Sequence, residues 1–137
     1  MGIEIVESIP SAAEYVDLRK RTGLSRKSIA AAKIGLPNSL YSITIRDAGR
    51  LIGMGRGIGD GACFFEIVDI AVDPVYQGQG FGKKIMLKID SYLEQAAMEG
   101  SYVSMIADEP EFYKKLGYKL TSPDSQGMYK QLKVTRS

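Results

Sequence analysis

Histidine is absent from this chain of 137 residues, and cysteine occurs once, as Cys63. Without histidine the chain lacks the commonest general base near neutral pH and the commonest zinc ligand, so no metal site is expected. Proton transfer must fall to carboxylates, tyrosine, lysine, cysteine or water. A lone cysteine cannot close an internal disulfide, which suits a reducing cytoplasm. No apolar run is long enough to cross a bilayer, and Glu4 and Glu7 interrupt the first apolar residues where a signal sequence would carry none. Charge runs are missing as well. The balance of 18 Lys and Arg against 16 Asp and Glu is spread along the chain, leaving no electrostatic footprint for nucleic acid or membrane. Oligomeric state is unspecified, and a homodimer is compatible with the composition. What is present is 45% hydrophobic residues, enough for one core in a single domain spanning 1–137.

The richest stretch is Gln77-Gly78-Gln79-Gly80-Phe81-Gly82-Lys83-Lys84. Upstream, Phe64 to Val72 reads as a buried strand that Asp73-Pro74 ends, because proline cannot continue a ladder. Downstream, Ile85, Ile89, Leu93 and Ala97 recur at helical spacing, and the long helix is expected to end near Gly100. Glycines at 78, 80 and 82 remove the Cβ atoms that would hold an anion off the main chain, and the first helical N–H groups have no partner inside the helix. Such a turn either binds phosphate or is only a tight connection. A P-loop counted from Gly78 needs glycine where Lys83 stands and a hydroxyl residue after the lysine; the dinucleotide fingerprint fails at Lys83 too.

Gln77, Gly80 and Gly82, in the order Q-x-x-G-x-G, resemble the pyrophosphate-binding turn of the GNAT superfamily of acyl-CoA-dependent N-acyltransferases. Further on, Phe112-Tyr113-Lys114-Lys115-Leu116-Gly117-Tyr118 resembles that family's F-Y-x-K-x-G-F/Y helix, with one helix and one strand, at 102–106, between the two motifs. The resemblance is strong over residues 62–120. It implies an α/β (α+β) fold, a central mixed sheet with helices on both faces, acetyl-CoA as cofactor, and acetyl transfer to a primary amine of a small molecule by direct attack in a ternary complex. A CoA-binding sensor or scaffold without catalysis, and a modifier of protein or RNA amines, are the alternatives.

By the same resemblance, main-chain groups of Ile70, Ala71 and Val72 hold the cofactor's pantetheine arm. One N–H there serves as an oxyanion donor. The pyrophosphate falls on the amides of Gln77, Gly78, Gln79, Gly80, Phe81, Gly82 and Lys83. Tyr113 is the candidate general acid, or else a packed tyrosine whose hydroxyl is bonded within the fold. Glu66 and Asp69 are candidate bases, and Asp69 also a candidate contact to the substrate ammonium. At positions i and i+3 a regular strand turns them to opposite faces, and a bulge would change that. Where many members carry an asparagine this chain has Ile106-Ala107-Asp108. Cys63 has no histidine partner, which disfavours a covalent route.

The rest of the chain alternates elements without repeats. Ile3 to Val6 is a short strand; Pro10-Ser11 with Glu14 makes a capping box for a helix through Arg21; Ser25 starts a second helix that stops at Gly35-Leu36-Pro37, and Pro110 starts the Tyr113 helix. Tyr41 to Arg46 and Leu51 to Met54 form a hairpin about Asp47-Ala48-Gly49, and a final strand or pair is expected around Tyr118 to Leu132. Glycines at 53, 55, 57, 59 and 61 share one face of an extended run. They mark either a loose strand ending in a Gly59-Asp60-Gly61 turn, or a bare face whose opposite side carries Met54, Arg56 and Asp60 along the acceptor site. By the resemblance, the acceptor pocket is built from the first two helices and the loop before Met128, which contain Arg26, Lys27 and Lys33.

Overall fold

The alternation around Ile43 becomes an antiparallel hairpin in the computed structural model, which describes residues 2–134. Strands β2 (Tyr41–Asp47) and β3 (Arg50–Gly59) meet at a turn whose two residues, Ala48 and Gly49, take φ of 49° and 84°. Positive φ at both positions matches the right-handed twist of the flanking strands. Strand β1 (Ile3–Val6) pairs with β2 at the sheet edge, and β4 (Phe64–Val72) pairs antiparallel with β3. Helix α3 (Phe81–Ala96) then crosses over so that β5 (Tyr102–Met105) runs parallel to β4. The result is one five-stranded mixed sheet in the order β1-β2-β3-β4-β5.

Helices cover both faces, as expected. On one, α3 buries Ile85, Met86 and Ile89 against Ile43, Ile45, Phe65 and Ile67. On the other, α1 (Ala12–Arg21) and α2 (Ile29–Gly35) bury Tyr15, Leu18 and Ala32 against Leu51, Met54 and Ala71. The glycine-rich face of β3 is where α3 lies. A Cβ on Gly55 would sit 2.6 Å from Ile85 Cγ2 and 2.7 Å from Ile70 Cδ1, so the missing side chain lets a helix approach the sheet. The capping box is formed: Ser11 Oγ accepts from the Glu14 N–H at 3.2 Å and Glu14 Oε2 from the Ser11 N–H at 2.9 Å.

Several boundaries and one expected strand depart from expectation; β3, expected over Leu51 to Met54, runs on to Gly59. Helix α2 starts at Ile29, not Ser25, because Ser28 caps it and Ser25 is occupied by Arg19, whose Nε and Nη2 donate to its carbonyl and hydroxyl. Helix α3 stops at Ala96, short of Gly100: Ala97 is extended, and Ser101 Oγ accepts from the Met98 N–H at 2.8 Å. Strand β5 stops at Met105, since pairing with β4 ends at Ile67 opposite Met105. No strand forms between Tyr118 and Leu132. Leu120, Met128, Tyr129 and Leu132 are 58%, 92%, 92% and 68% exposed, and strand-forming residues with nothing packed against them do not hold a ladder.

Candidate active site

Beyond Ile67 the edge strand β5 leaves β4, and over the same stretch β4 carries a bulge against β3. Its register against β3 passes from Met54 opposite Ala71 to Arg56 opposite Val68, so Gly55 alone faces Asp69 and Ile70. Asp69 sits at φ 62°, a left-handed conformation that aspartate tolerates better than most side chains. The bulge frees one edge of β4 from Val68 to Val72 and opens a cavity of ≈ 820 Å³ between β4, β5 and the α1–α2 loop. It also brings Glu66 and Asp69 to the same cavity, which a regular strand would not do.

Asp69 is the hub of the cavity floor. Its side chain is 4% exposed; Oδ1 accepts from Arg19 Nη1, Oδ2 accepts from Arg56 Nε at 2.7 Å, and the Tyr15 hydroxyl lies 3.0 Å from both oxygens. Both guanidiniums also lie near the Tyr15 ring, 5.8 and 5.7 Å from its centroid. Such a carboxylate is saturated with donors and well placed to hold α1, β3 and the bulge together. Glu66, half-buried on the same strand, has no ion-pair partner among the described residues and lines the cavity beside Ile58 and Met105.

Tyr113 of α4 (Pro110–Lys114) lines the same cavity as Ile70, Ala71 and Val72. Pro110 is the first residue of α4, as expected. Burial, then the nearby charges of Asp108 and Glu109, push the Tyr113 phenol above its ordinary value and keep it protonated. Its ring packs edge-on against Phe112 and Tyr118. Asp108 and Glu109 line the same cavity.

The glycine turn lies at the open end of the β4 edge. Gly78 and Gly80 take φ of 81° and 85°, and a Cβ on either would meet nothing within 4 Å, so the main chain lies bare to a ligand. Gly80 is the N-cap of α3 and offers no side-chain cap; the first helical bond is Lys84 N–H to Gly80 O. The N–H groups of Phe81, Gly82 and Lys83 therefore have no intrahelical acceptor, and with the dipole end they fit a pyrophosphate. Gln77 folds back, its Nε2 donating to Val72 O at 3.0 Å, which fixes the turn to the end of β4. Gln79 is exposed in the turn.

The remaining candidates separate. Arg56 lines the cavity, but Met54 is 1% exposed in the core and Asp60 caps its own loop, its Oδ1 accepting from the N–H groups of Ala62, Cys63 and Phe64. Asp60 thus leaves the acceptor site for the β3–β4 connection, because a short carboxylate in a tight loop bonds nearby amides first. Lys27 lines the cavity; Arg26, Lys33 and the exposed Cys63 do not. Tyr15 and Arg19 went unnoticed in the sequence, although an arginine at i+4 from a tyrosine on the buried stripe of α1 is a legible signal. Among the described residues no helix is long and apolar enough to cross a membrane, and no cluster of three or more His, Cys, Asp or Glu could hold a metal ion.

Comparisons with known proteins fall on the same region. The model of the acetyltransferase (GNAT) domain matches residues 38–120. A histone acetyltransferase of Glycine max is 34% identical over 117 residues, 80% of this chain and 50% of that protein; the chain spans about half the length of the soybean relatives it matches. The structure of a probable acetyltransferase of unknown function from meticillin-resistant Staphylococcus aureus is similar at TM-score 0.91 and 47% identity, covering 95% of this chain and 99% of that one. A GNAT family N-acetyltransferase from Escherichia coli in complex with CoA shares the fold at TM-score 0.66 and 23% identity, covering 89% of this chain and 71% of that one.

Proposed function

Because this chain belongs to the GNAT acetyltransferases, we propose that it transfers an acetyl group from acetyl-CoA to a primary amine of a small molecule, by direct attack in a ternary complex. The observation that carries this reading is the continuity of one cavity. It runs from Gln77, where the glycine turn begins, along β4 from Val72 back to the Asp69 hub and Glu66, with Tyr113 also in its lining. Acetyl-CoA supplies the activated thioester. The chain contributes the rest: amides of Gly78 to Lys83 for the pyrophosphate, the freed main chain of Ile70, Ala71 and Val72 for an extended arm, and an N–H of that segment as oxyanion donor. Tyr113, kept protonated, gives its proton to the departing thiolate. Glu66, unpaired, takes the amine's proton directly or through one water, while Asp69 positions Arg56 and Tyr15. We take residues 1–137 to act as one domain, in a reducing cytoplasm that suits a lone exposed thiol.

The E. coli structure, a complex with CoA, supports the choice of cofactor. A protein amine is the second reading, and the name of the soybean relative favours it. Thiol release from acetyl-CoA over a panel of small primary amines and lysine-containing peptides separates the readings. Turnover confined to small amines is expected. Turnover confined to peptides replaces the acceptor class, and CoA binding without any turnover replaces the enzyme by a binding module.

A further inference from the structure

A small amine must be oriented as well as activated, and the cavity floor carries the groups to do it. Two guanidiniums share one carboxylate there: the side chains of Arg19, Arg56 and Asp69 are 9%, 12% and 4% exposed. The cluster therefore holds an excess of one positive charge away from bulk water, a costly arrangement until an anion joins it. Arg19 is spent on Asp69 and on the Ser25 carbonyl and hydroxyl. Arg56 is not. Its Nε donates to Asp69 and its Nη1 to Ser39 Oγ at 2.9 Å and to the Gly35 carbonyl at 3.4 Å, while Nη2 has no acceptor among the described residues. Among them the buried side-chain polar atom sealed off without a partner is Ser42 Oγ, so Arg56 Nη2 opens onto accessible space, and Arg56 lines the cavity. Lys27, also on the cavity wall, has no ion-pair partner among the described residues. The same lining carries Asp108 and Glu109 beside Tyr113, with Glu66 on β4.

Charge in the cavity is thus polarised, positive on the floor under the α1–α2 loop and negative toward Tyr113. We infer that the acceptor is a small primary amine that also bears an anionic group, a carboxylate or a phosphate, which pairs with the free Nη2 of Arg56 beside Lys27 while the ammonium faces Glu66. This rests on the reading of the cavity as the site of amine acetylation. The planar guanidinium, held by Asp69, Ser39 and Gly35, fixes Nη2 as a charge-assisted donor, and a lysine in its place would keep the charge without holding a donor at that point.

The test uses the purified protein, acetyl-CoA and matched acceptors: β-alanine against its amide, and phosphoethanolamine against ethanolamine. The anionic member of at least one pair is expected to show kcat/KM higher by about tenfold or more, carried by KM, the scale of one charge-assisted hydrogen bond. Which pair shows it tells carboxylate from phosphate. Arg56→Lys, chosen because it retains a cation for Asp69, should cut the advantage of the anionic member over its uncharged partner by about tenfold, whatever rate change the two share, at a melting temperature that shows the fold intact. Equal use of charged and uncharged members, or an Arg56→Lys loss shared equally by both, overturns the inference and leaves amine acetylation standing. Absence of thiol release with every amine removes both.

Discussion

Arg56 on β3 donates its Nε to Asp69 Oδ2 across 2.7 Å, joining a regular strand to the left-handed residue of its bulged neighbour. Opposite charges across this step hold the bulge that opens the cavity, and Arg19 holds the same carboxylate from α1. Asp69→Asn keeps the left-handed preference but leaves two buried guanidiniums short of a counter-charge. Loss of about 3 kcal/mol of stability is expected, the scale of a broken buried pair. Denaturant unfolding measures it, and a loss below about 0.5 kcal/mol, the range of ordinary surface substitutions, would mean that the hub holds nothing together.

Gly80 tests the phosphate turn. At φ 85° a β-branched side chain is strained, and it would cover the amides at the N-terminus of α3. For the parent protein, CoA at one hundred times its Kd should stabilise by about 2.7 kcal/mol, seen as a rise in melting temperature. Gly80→Val should abolish that rise. A variant with the parental response would remove the turn from the cofactor site.

Tyr113→Phe deletes one hydroxyl and leaves the ring stack with Phe112 and Tyr118. Turnover is expected to fall by about 10² or more, with CoA affinity within a few-fold, as for a lost general acid. Since the Tyr113 phenol is pushed above its ordinary value, the parental rate should show no alkaline decline from this group below that value. Equal losses of stability and turnover would instead identify a packing tyrosine.

Glu66→Gln keeps shape and removes the basic form. The expected outcome is a lower kcat and a rising limb of the pH–rate profile moved to higher pH, since solvent must then take the proton. A parental profile in Glu66→Gln would show that the amine arrives neutral and that the protein supplies position and an oxyanion donor alone.

Glu14 contributes to the pH dependence of stability. Its fork to Arg46, with Nη2 to Oε2 at 3.1 Å, holds the carboxyl down from 4.5 to about 2, helped by the Ser11 amide and opposed by burial. A folded value below the unfolded one means stability that is fully present above pH 4.5 and lost as pH falls toward 2. With its partly exposed setting, the pair is worth about 1 kcal/mol after screening. Glu14→Gln should be destabilised by that amount at neutral pH and match the parent near pH 2. A pH-independent difference in urea unfolding would contradict the assignment.

The motifs with local causes were legible. Ser11 and Glu14 make their box within one turn, Ala48-Gly49 turns a hairpin, and Gly78 and Gly80 take the left-handed geometry that their missing side chains allow. Boundaries set by partners were not. Ser25 reads as a helix cap until Arg19 claims it, and Tyr118 to Leu132 read as strand although Leu120, Met128, Tyr129 and Leu132 lie exposed.

By itself, then, the order of residues determined the elements, the mixed sheet and the place of the glycine turn, because capping, turn chemistry and apolar period act between near neighbours. Only the tertiary structure decided that Glu66 and Asp69 share a cavity, that Asp60 belongs to a loop, and that Tyr15, Arg19 and Arg56 converge on one carboxylate. The physical reason is the bulge. One extra residue on β4 inverts the alternation of faces, and whether a strand carries that residue depends on what α1 and β3 set against it.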